Sequence, residues 1–177
     1  MKNILSISML LLLLGSLNVL KAQETTSINW ISFEEAIALN SENPKLLFVD
    51  VYTDWCGWCK KMDASTFSDQ KIINYMNEKY YCVKFDAESV EAVNFMGNKL
   101  VNPNPGGRRS THQLASLLLN NKMSYPSYVF MNEENKVLTV VKGYKDVNGF
   151  DPIIHWFGEQ VYLNTPYQDY IKSYQAQ

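Results

Sequence analysis

Asp50-Val51-Tyr52-Thr53-Asp54-Trp55-Cys56-Gly57-Trp58-Cys59-Lys60-Lys61 is the stretch that decides the fold of this chain. Leu46-Leu47-Phe48-Val49 leads into it, an apolar run of large and branched residues that predicts a buried strand. Lys60, Lys61 and Met62 continue as helix formers. Two cysteines therefore fall where a strand turns into a helix. A helix N-terminus carries unpaired N–H groups and a partial positive charge, which favour a thiolate over a thiol. Two intervening residues let both sulfurs meet in a small ring, so the pair can cycle between dithiol and disulfide.

Four readings of such a pair compete: half a zinc site, a haem attachment, a structural bridge and a redox couple. Zinc needs about four ligands, usually with a second Cys/His pair. Cys82, His112 and His155 are the other candidates, each isolated in sequence. Haem attachment needs a His after the second Cys, where Lys60 stands. A bridge over so short a loop constrains the unfolded chain little. The redox couple fits best.

The chain has 177 residues, 46% hydrophobic and 19% charged, a globular composition with enough length for one ordinary domain. Its formal charge is −2 and no basic stripe is visible, so nucleic acid is not an expected partner. Residues 1–22 read as a secretory signal peptide: Lys2 as the positive region, Ile4 to Leu14 as the apolar core, and Ala22 as the small residue before cleavage at Gln23. The apolar part is short for a membrane span. Leu20 is large for the −3 position, which keeps an uncleaved anchor as the competing reading. Cleavage removes Lys2 and Lys21 and no acid, taking the charge from −2 to −4. Export to an oxidising compartment lets disulfides persist. Three cysteines, two of them in one motif, describe a redox pair and a spare thiol rather than a stapled scaffold.

Along residues 23–177, Ile28 to Ile31 predicts a short edge strand. Ser32-Phe33-Glu34-Glu35 is a capping box, with Ser32 as N-cap of a helix ending at Asn43-Pro44. The helix after Cys59 runs to about Ser65, and Ser68 or Asp69 caps a further one carrying Ile72, Ile73 and Met76. Tyr81 to Asp86 alternates as a strand, so strand, helix and strand imply a parallel pair. Glu91 to Leu100 is expected as a weak helix and Asn102 to Arg109 as a Pro/Gly loop. Ser110 or Thr111 is expected to cap a helix to Asn120. Tyr128 to Met131 and Lys136 to Val141 form a hairpin closed by Gly143. Asp151 and Pro152 are expected to start a last helix with Ile153, Ile154, Phe157 and Val161 on its buried face. Tyr167, Tyr170, Ile171 and Tyr174 repeat at helical spacing in the tail, residues 164–177.

Val49-Asp50, Asp54 to Lys60, Thr66-Phe67-Ser68-Asp69, Tyr125-Pro126 and Gly143 together resemble the thioredoxin superfamily. The look-alikes are exported thioredoxin-like proteins and the periplasmic C-terminal domain of the transmembrane disulfide reductase. The resemblance covers about residues 28–163, with a helical or loop insertion near 95–110. It implies an α/β thioredoxin fold: a central mixed sheet flanked by helices, closed by a C-terminal hairpin and helix.

The resemblance also implies roles. Cys56 would be the exposed nucleophile and Cys59, one turn deeper, the resolving thiol. Asp50 lies on an otherwise apolar strand, where a carboxylate must be protonated or paired. By similarity it relays a proton to or from Cys59. Pro126 would be cis and hold Tyr125 extended against a substrate chain. Trp55 would shield the thiols. Gly57 completes the substrate-facing motif, and Trp58 stands where many relatives carry proline, as an exposed docking surface. Cys82 reads as a small buried hydrophobe, and His112 and His155 as surface or packing residues. The implied activity is a periplasmic reductase of exported protein disulfides. It is a monomer needing no cofactor beyond the Cys56/Cys59 couple, and is fed electrons by a membrane thiol reductase. An oxidase or isomerase, a non-catalytic peptide-binding module at Tyr125-Pro126 and Trp58, and metal carriage by the two cysteines are the competing readings.

Overall fold

In the computed structural model β2 (Leu46–Tyr52) lies at the centre of a five-stranded sheet, and the elements that position the motif are built onto it. Residues 26–108 and 110–174 are described. The expected signal peptide lies outside them. The element order is β1 (Trp30–Ile31), α1 (Phe33–Glu42), β2, α2 (Gly57–Ala64), a 3-10 turn (Thr66–Ser68), α3 (Gln70–Lys79), β3 (Tyr80–Asp86), β4 (Val93–Phe95), β5 (Asn98–Leu100), α4 (Gln113–Leu118), β6 (Ser127–Met131), β7 (Val137–Lys142), α5 (Val147–Gly158), a 3-10 turn (Val161–Leu163) and α6 (Tyr167–Ser173). The strand order is β1-β3-β2-β6-β7. β1 and β2 run parallel to β3, whereas β6 runs antiparallel to β2 and β7 to β6. The mixed sheet, the C-terminal hairpin and the covering helix are those the sequence predicts.

Strand alternation sends β2 side chains to two cores. Phe48 packs with Met62 of α2, Ile72 and Met76 of α3, and Phe150 and Phe157 of α5. Leu47, Val49 and Val51 pack with Phe33 and Ala36 of α1 and Leu114 and Leu118 of α4. Phe48 is fully buried and its ring meets Trp30, Phe67, Tyr80, Tyr128, Phe130 and Phe150 at centroid distances of 5.3 to 6.4 Å. Burial of one such ring stabilises by about 2–3 kcal/mol. The thick aromatic layer under α2 and α5 therefore fixes where α2, and the cysteines on it, can sit.

Four local expectations are corrected. Residues 93–100 form a β-hairpin, β4 and β5, rather than a helix. Val93 and Phe95 alternate inward, Phe95 meets Phe33 edge-on at 5.0 Å, and the turn residues Met96 and Gly97 take φ of +50° and +76°. Glu34 of α1 holds the hairpin by accepting from the Asn94 backbone (2.7 Å) and side chain (2.8 Å). Tertiary contacts thus override a weak helical preference. The segment after it is irregular, as read, and is closed by the Asn102 amide donating to Ser110 Oγ at 2.7 Å and Glu88 O at 3.0 Å.

The cap of α4 is His112, not Ser110 or Thr111. Its Nδ1 accepts from Leu114 N at 3.0 Å, so the proton is on Nε2, which faces Glu91 O at 3.0 Å. α5 starts at Val147, one turn earlier than expected, because Asp146 caps it by accepting from Gly149 N at 2.8 Å. Asn148 and Gly149 occupy the first turn, and Pro152 lies inside the helix. Val161 falls in the 3-10 turn rather than on α5.

Candidate active site

β2 ends at Tyr52, and the chain turns through Thr53, Asp54 and Trp55 to put Cys56 at the N-cap of α2. Cys56 and Cys59 are joined by a disulfide of 2.14 Å, with Cα atoms 5.3 Å apart. The Cys59 N–H donates to Cys56 Sγ at 3.1 Å. An orphan donor of the helix N-terminus is thus aimed at the first sulfur, the arrangement that stabilises a thiolate once the bond opens.

The expected contrast between an open Cys56 and a shielded Cys59 is not what the closed pair displays: they are 5% and 3% exposed. In the bonded pair each sulfur covers part of the other. Access lies over Gly57, where an added Cβ would meet nothing within 4 Å. Trp55 and Trp58 flank that opening at 66% and 57% exposure. Trp55, expected as a shield, is instead a rim residue. Its ring stands edge-on to Tyr125 at 5.7 Å, and its Nε1–H donates to Glu88 Oε2 at 3.2 Å. Trp58 leans on Tyr144 at 5.5 Å.

The Tyr125–Pro126 peptide is cis, as the resemblance implies. Pro126 O accepts from Gly143 N at 2.9 Å, and Gly143 has a φ of +76° that only glycine adopts freely. That bond ties the β7–α5 loop to the start of β6.

Asp50 is buried in the layer covered by α2. Its register partners are Lys84 on β3 and Tyr128 on β6. Lys84 Nζ donates to Asp50 Oδ2 at 2.9 Å and also pairs with Asp63 of α2. Burial raises the Asp50 carboxyl to about 6, against the lowering pull of Lys84. Burial lowers the Lys84 ammonium, but Asp50 and Asp63 together outweigh it and hold it above its ordinary value. Asp63 lies one turn beyond Cys59 on the same face of α2. Asp50 makes no hydrogen bond to either cysteine; its Oδ1, the Thr53 Oγ1 and the Tyr128 hydroxyl are buried without partners among the described residues.

Lys84, Asp63, Tyr128 and Tyr144 are the site residues that motif reading missed. Lys84 carried a signal: it is the one charge inside the β3 alternation, and parallel pairing places it beside Asp50. Tyr144 carried none, since only the Gly143 turn brings it to Trp58. Cys82 is buried and bonds weakly to Met76 O at 3.7 Å, as a small core residue should. His112 and His155 are both buried packing residues.

The strand order, the switch from strand to helix at Cys56 and the closed sulfur pair define a class, the thioredoxin-like disulfide oxidoreductases. The chain belongs to the Thioredox_DsbH family, described as a protein of unknown function, DUF255, whose model matches residues 12–148. An uncharacterized protein of Archaeoglobus fulgidus is 30% identical over 66 residues, 37% of this chain and 52% of that protein. The match thus spans about half the length of that relative. A thioredoxin-fold protein of Helicobacter pylori superposes with a TM-score of 0.56 at 15% identity, over 73% of this chain and 84% of the other. A thioredoxin of Thermus thermophilus gives 0.55 at 14% identity, over 85% and 99%. At these identities the two structures speak for the fold.

Proposed function

We propose that this protein is an exported thiol–disulfide oxidoreductase that reduces disulfides of other exported proteins. The observation that carries the reading is the Cys56–Cys59 bond at the head of α2, with the Cys59 N–H aimed at Cys56 Sγ. Export rests on the signal peptide read at residues 1–22, with the thioredoxin-like domain following from Gln23. A membrane thiol reductase would return electrons. No bound cofactor enters the scheme, and a monomer suffices.

In the reduced protein, the Cys56 thiolate attacks one sulfur of a client disulfide. A mixed disulfide forms and one client thiolate leaves. Cys59 then loses its proton and attacks Cys56 Sγ. This closes the bond seen here and frees the second client thiolate. Asp50, held near neutrality, is the acceptor for the Cys59 proton. Two electrons pass to the client, which leaves as two thiolates that take their protons from water, and Asp50 returns the Cys59 proton to solvent. Trp55, Gly57, Trp58, Tyr125 and Pro126 line the approach. Insulin reduction with dithiothreitol as donor tests the activity. Wild type should precipitate insulin chains and Cys56→Ser should not; equal activity in the two would overturn the assignment. Equilibration with glutathione fixes direction, since a strongly oxidising potential would make the protein an oxidase or isomerase.

The exposed Trp55 and Trp58 favour one second reading, a binding module that uses the same rim without turnover. It requires that client binding survive replacement of both cysteines by serine while insulin is left intact.

A further inference from the structure

We infer that Trp58, Tyr144 and Lys61 form a specificity-determining shelf that takes the acidic flank of a client's disulfide cysteine. This rests on the oxidoreductase reading and names its substrate class. The Lys61 ammonium lies 5.0 Å from the Trp58 ring centroid and 4.8 Å from that of Tyr144. Two aromatic faces therefore hold one cation at the rim of the site. No carboxylate lies within ion-pairing distance of Lys61 among the described residues.

The shelf is built from two elements that are fastened together. The Thr66 hydroxyl donates to Lys145 O at 2.7 Å, and the hydroxyls of Tyr144 and Ser65 lie 3.4 Å apart. Exposed Lys60 adds charge on α2, while Lys145 flanks Tyr144 and spends its ammonium on Lys142 O and Gly143 O at 2.8 and 3.5 Å. The nearest acid in the loop, Asp146, is occupied as the cap of α5.

Across the disulfide the sign reverses. Asp54, Asp86 and Glu88 lie around Trp55, with Glu88 bonded to the indole. In a protein of net charge −2, a local cluster of lysines on one side of the sulfurs and of acids on the other is a directional feature. An extended client segment placed over Gly57 meets cations at Trp58 and anions at Trp55. Acidic side chains beside its cysteine are attracted on the shelf side and repelled on the other, which fixes orientation as well as affinity.

The test uses two synthetic peptides, each closed by one intramolecular disulfide and differing only in Glu-Glu or Lys-Lys beside one cysteine. The reduced protein is mixed with each, and peptide dithiol is followed as Cys56–Cys59 reforms. Wild type should reduce the acidic peptide about fivefold faster at low salt, and the gap should close near 1 M salt, where the screening length is about 3 Å. Lys61→Gln should remove most of the preference and Lys61→Glu should reverse it, both with an unchanged thermal unfolding midpoint. Trp58→Ala and Tyr144→Ala should weaken it with Lys61 still present. Equal rates for the two peptides in wild type, or a preference that survives Lys61→Gln, would overturn the shelf. Failure to reduce either peptide or insulin would instead overturn the oxidoreductase reading beneath it.

Discussion

Lys84 Nζ is bonded to Asp50 Oδ2 at 2.9 Å while Asp50 Oδ1, on the same buried carboxyl, has no partner. One half of this acid is neutralised and the other half bears the full cost of leaving water. That imbalance is why a salt-bridged carboxylate still sits above its ordinary range.

The pH dependence of stability follows from it. Asp50 moves from 3.8 to about 6 on folding, so between those values the folded state keeps a proton that the unfolded chain has released. Its contribution to stability is greatest below 3.8 and falls as pH rises through 6. At 1.36 kcal/mol per unit, the ionised carboxyl costs the fold up to about 3 kcal/mol at pH 7. Asp50→Asn should therefore match wild type near pH 4 and exceed it by up to that amount at pH 7.5, measured as urea midpoints at constant slope. The same variant should slow the closing of the Cys56–Cys59 bond by up to about 100-fold at pH 7. Parallel pH–stability curves for the two proteins would contradict the raised carboxyl.

Asp63 and Asp50 compete for one ammonium, and removing Asp63 or Lys84 should move the Asp50 titration in opposite directions. Asp63 raises the Asp50 carboxyl, so Asp63→Asn should lower its titration point, read by carbon NMR of the side chain. Lys84→Met leaves Asp50 buried without a cation and should raise that point above 6. Loss of one partner of a buried pair should destabilise by about 3 kcal/mol at pH 7, and by less near pH 5, where Asp50 takes up its proton. A Lys84→Met protein with an unmoved Asp50 titration would show that the pair is not coupled.

Much of this site was legible in the sequence because it is local. Leu46 to Val51 must be strand and Gly57 to Ala64 helix, and both cysteines follow from that junction. Ser32 and Asp69 cap α1 and α3 as read, since a side chain and an N–H two or three residues apart need no tertiary information. What was not legible depends on contacts between distant segments. Residues 93–100 became a hairpin because Phe33 and Glu34 were there to receive it. Asp151 and Pro152 imitate a helix start, but Asp146 with an available Gly149 N–H is the better cap. The Trp58–Tyr144 contact joins residues 86 apart in sequence through the turn at Gly143. The near-equal burial of Cys56 and Cys59 belongs to the packing of the closed pair, which composition does not encode.

The tyrosine tail docks on its own domain, and this gives a third test. Tyr174 donates from its hydroxyl to Asp151 Oδ2 at 2.6 Å, and Asp151 Oδ1 lies 3.5 Å from His155 Nε2. His155 stacks on Tyr75 at 3.7 Å. Tyr174→Phe strips the largely buried Asp151 carboxylate of a hydrogen-bond donor and should cost about 1–2 kcal/mol in thermal or urea unfolding. Insulin reduction should not change. The Tyr80 hydroxyl bonds to Ile154 O, which places this cluster where β3 begins, whereas Cys56 follows the end of the parallel β2. Seven residues of strand, about 20 Å, separate the two ends. A lost activity with unaltered stability would mean that the tail acts on the site rather than on the fold.

Cys82 offers the last test, because its chemistry should be the reverse of Cys56. Burial pushes its thiol well above the usual range, only partly offset by Lys45, and the side chain is enclosed by the core between β3 and α3. The oxidised native protein should therefore give no fast reaction with Ellman's reagent, and one thiol after denaturation in guanidinium. After reduction, Cys56 should react first, because it caps α2 with the Cys59 N–H aimed at its sulfur. Cys82→Ala removes only a small buried sulfur and should cost about 1–2 kcal/mol, with insulin reduction retained. A fast-reacting thiol in the oxidised protein would place Cys82 at the surface and reopen a redox role for it.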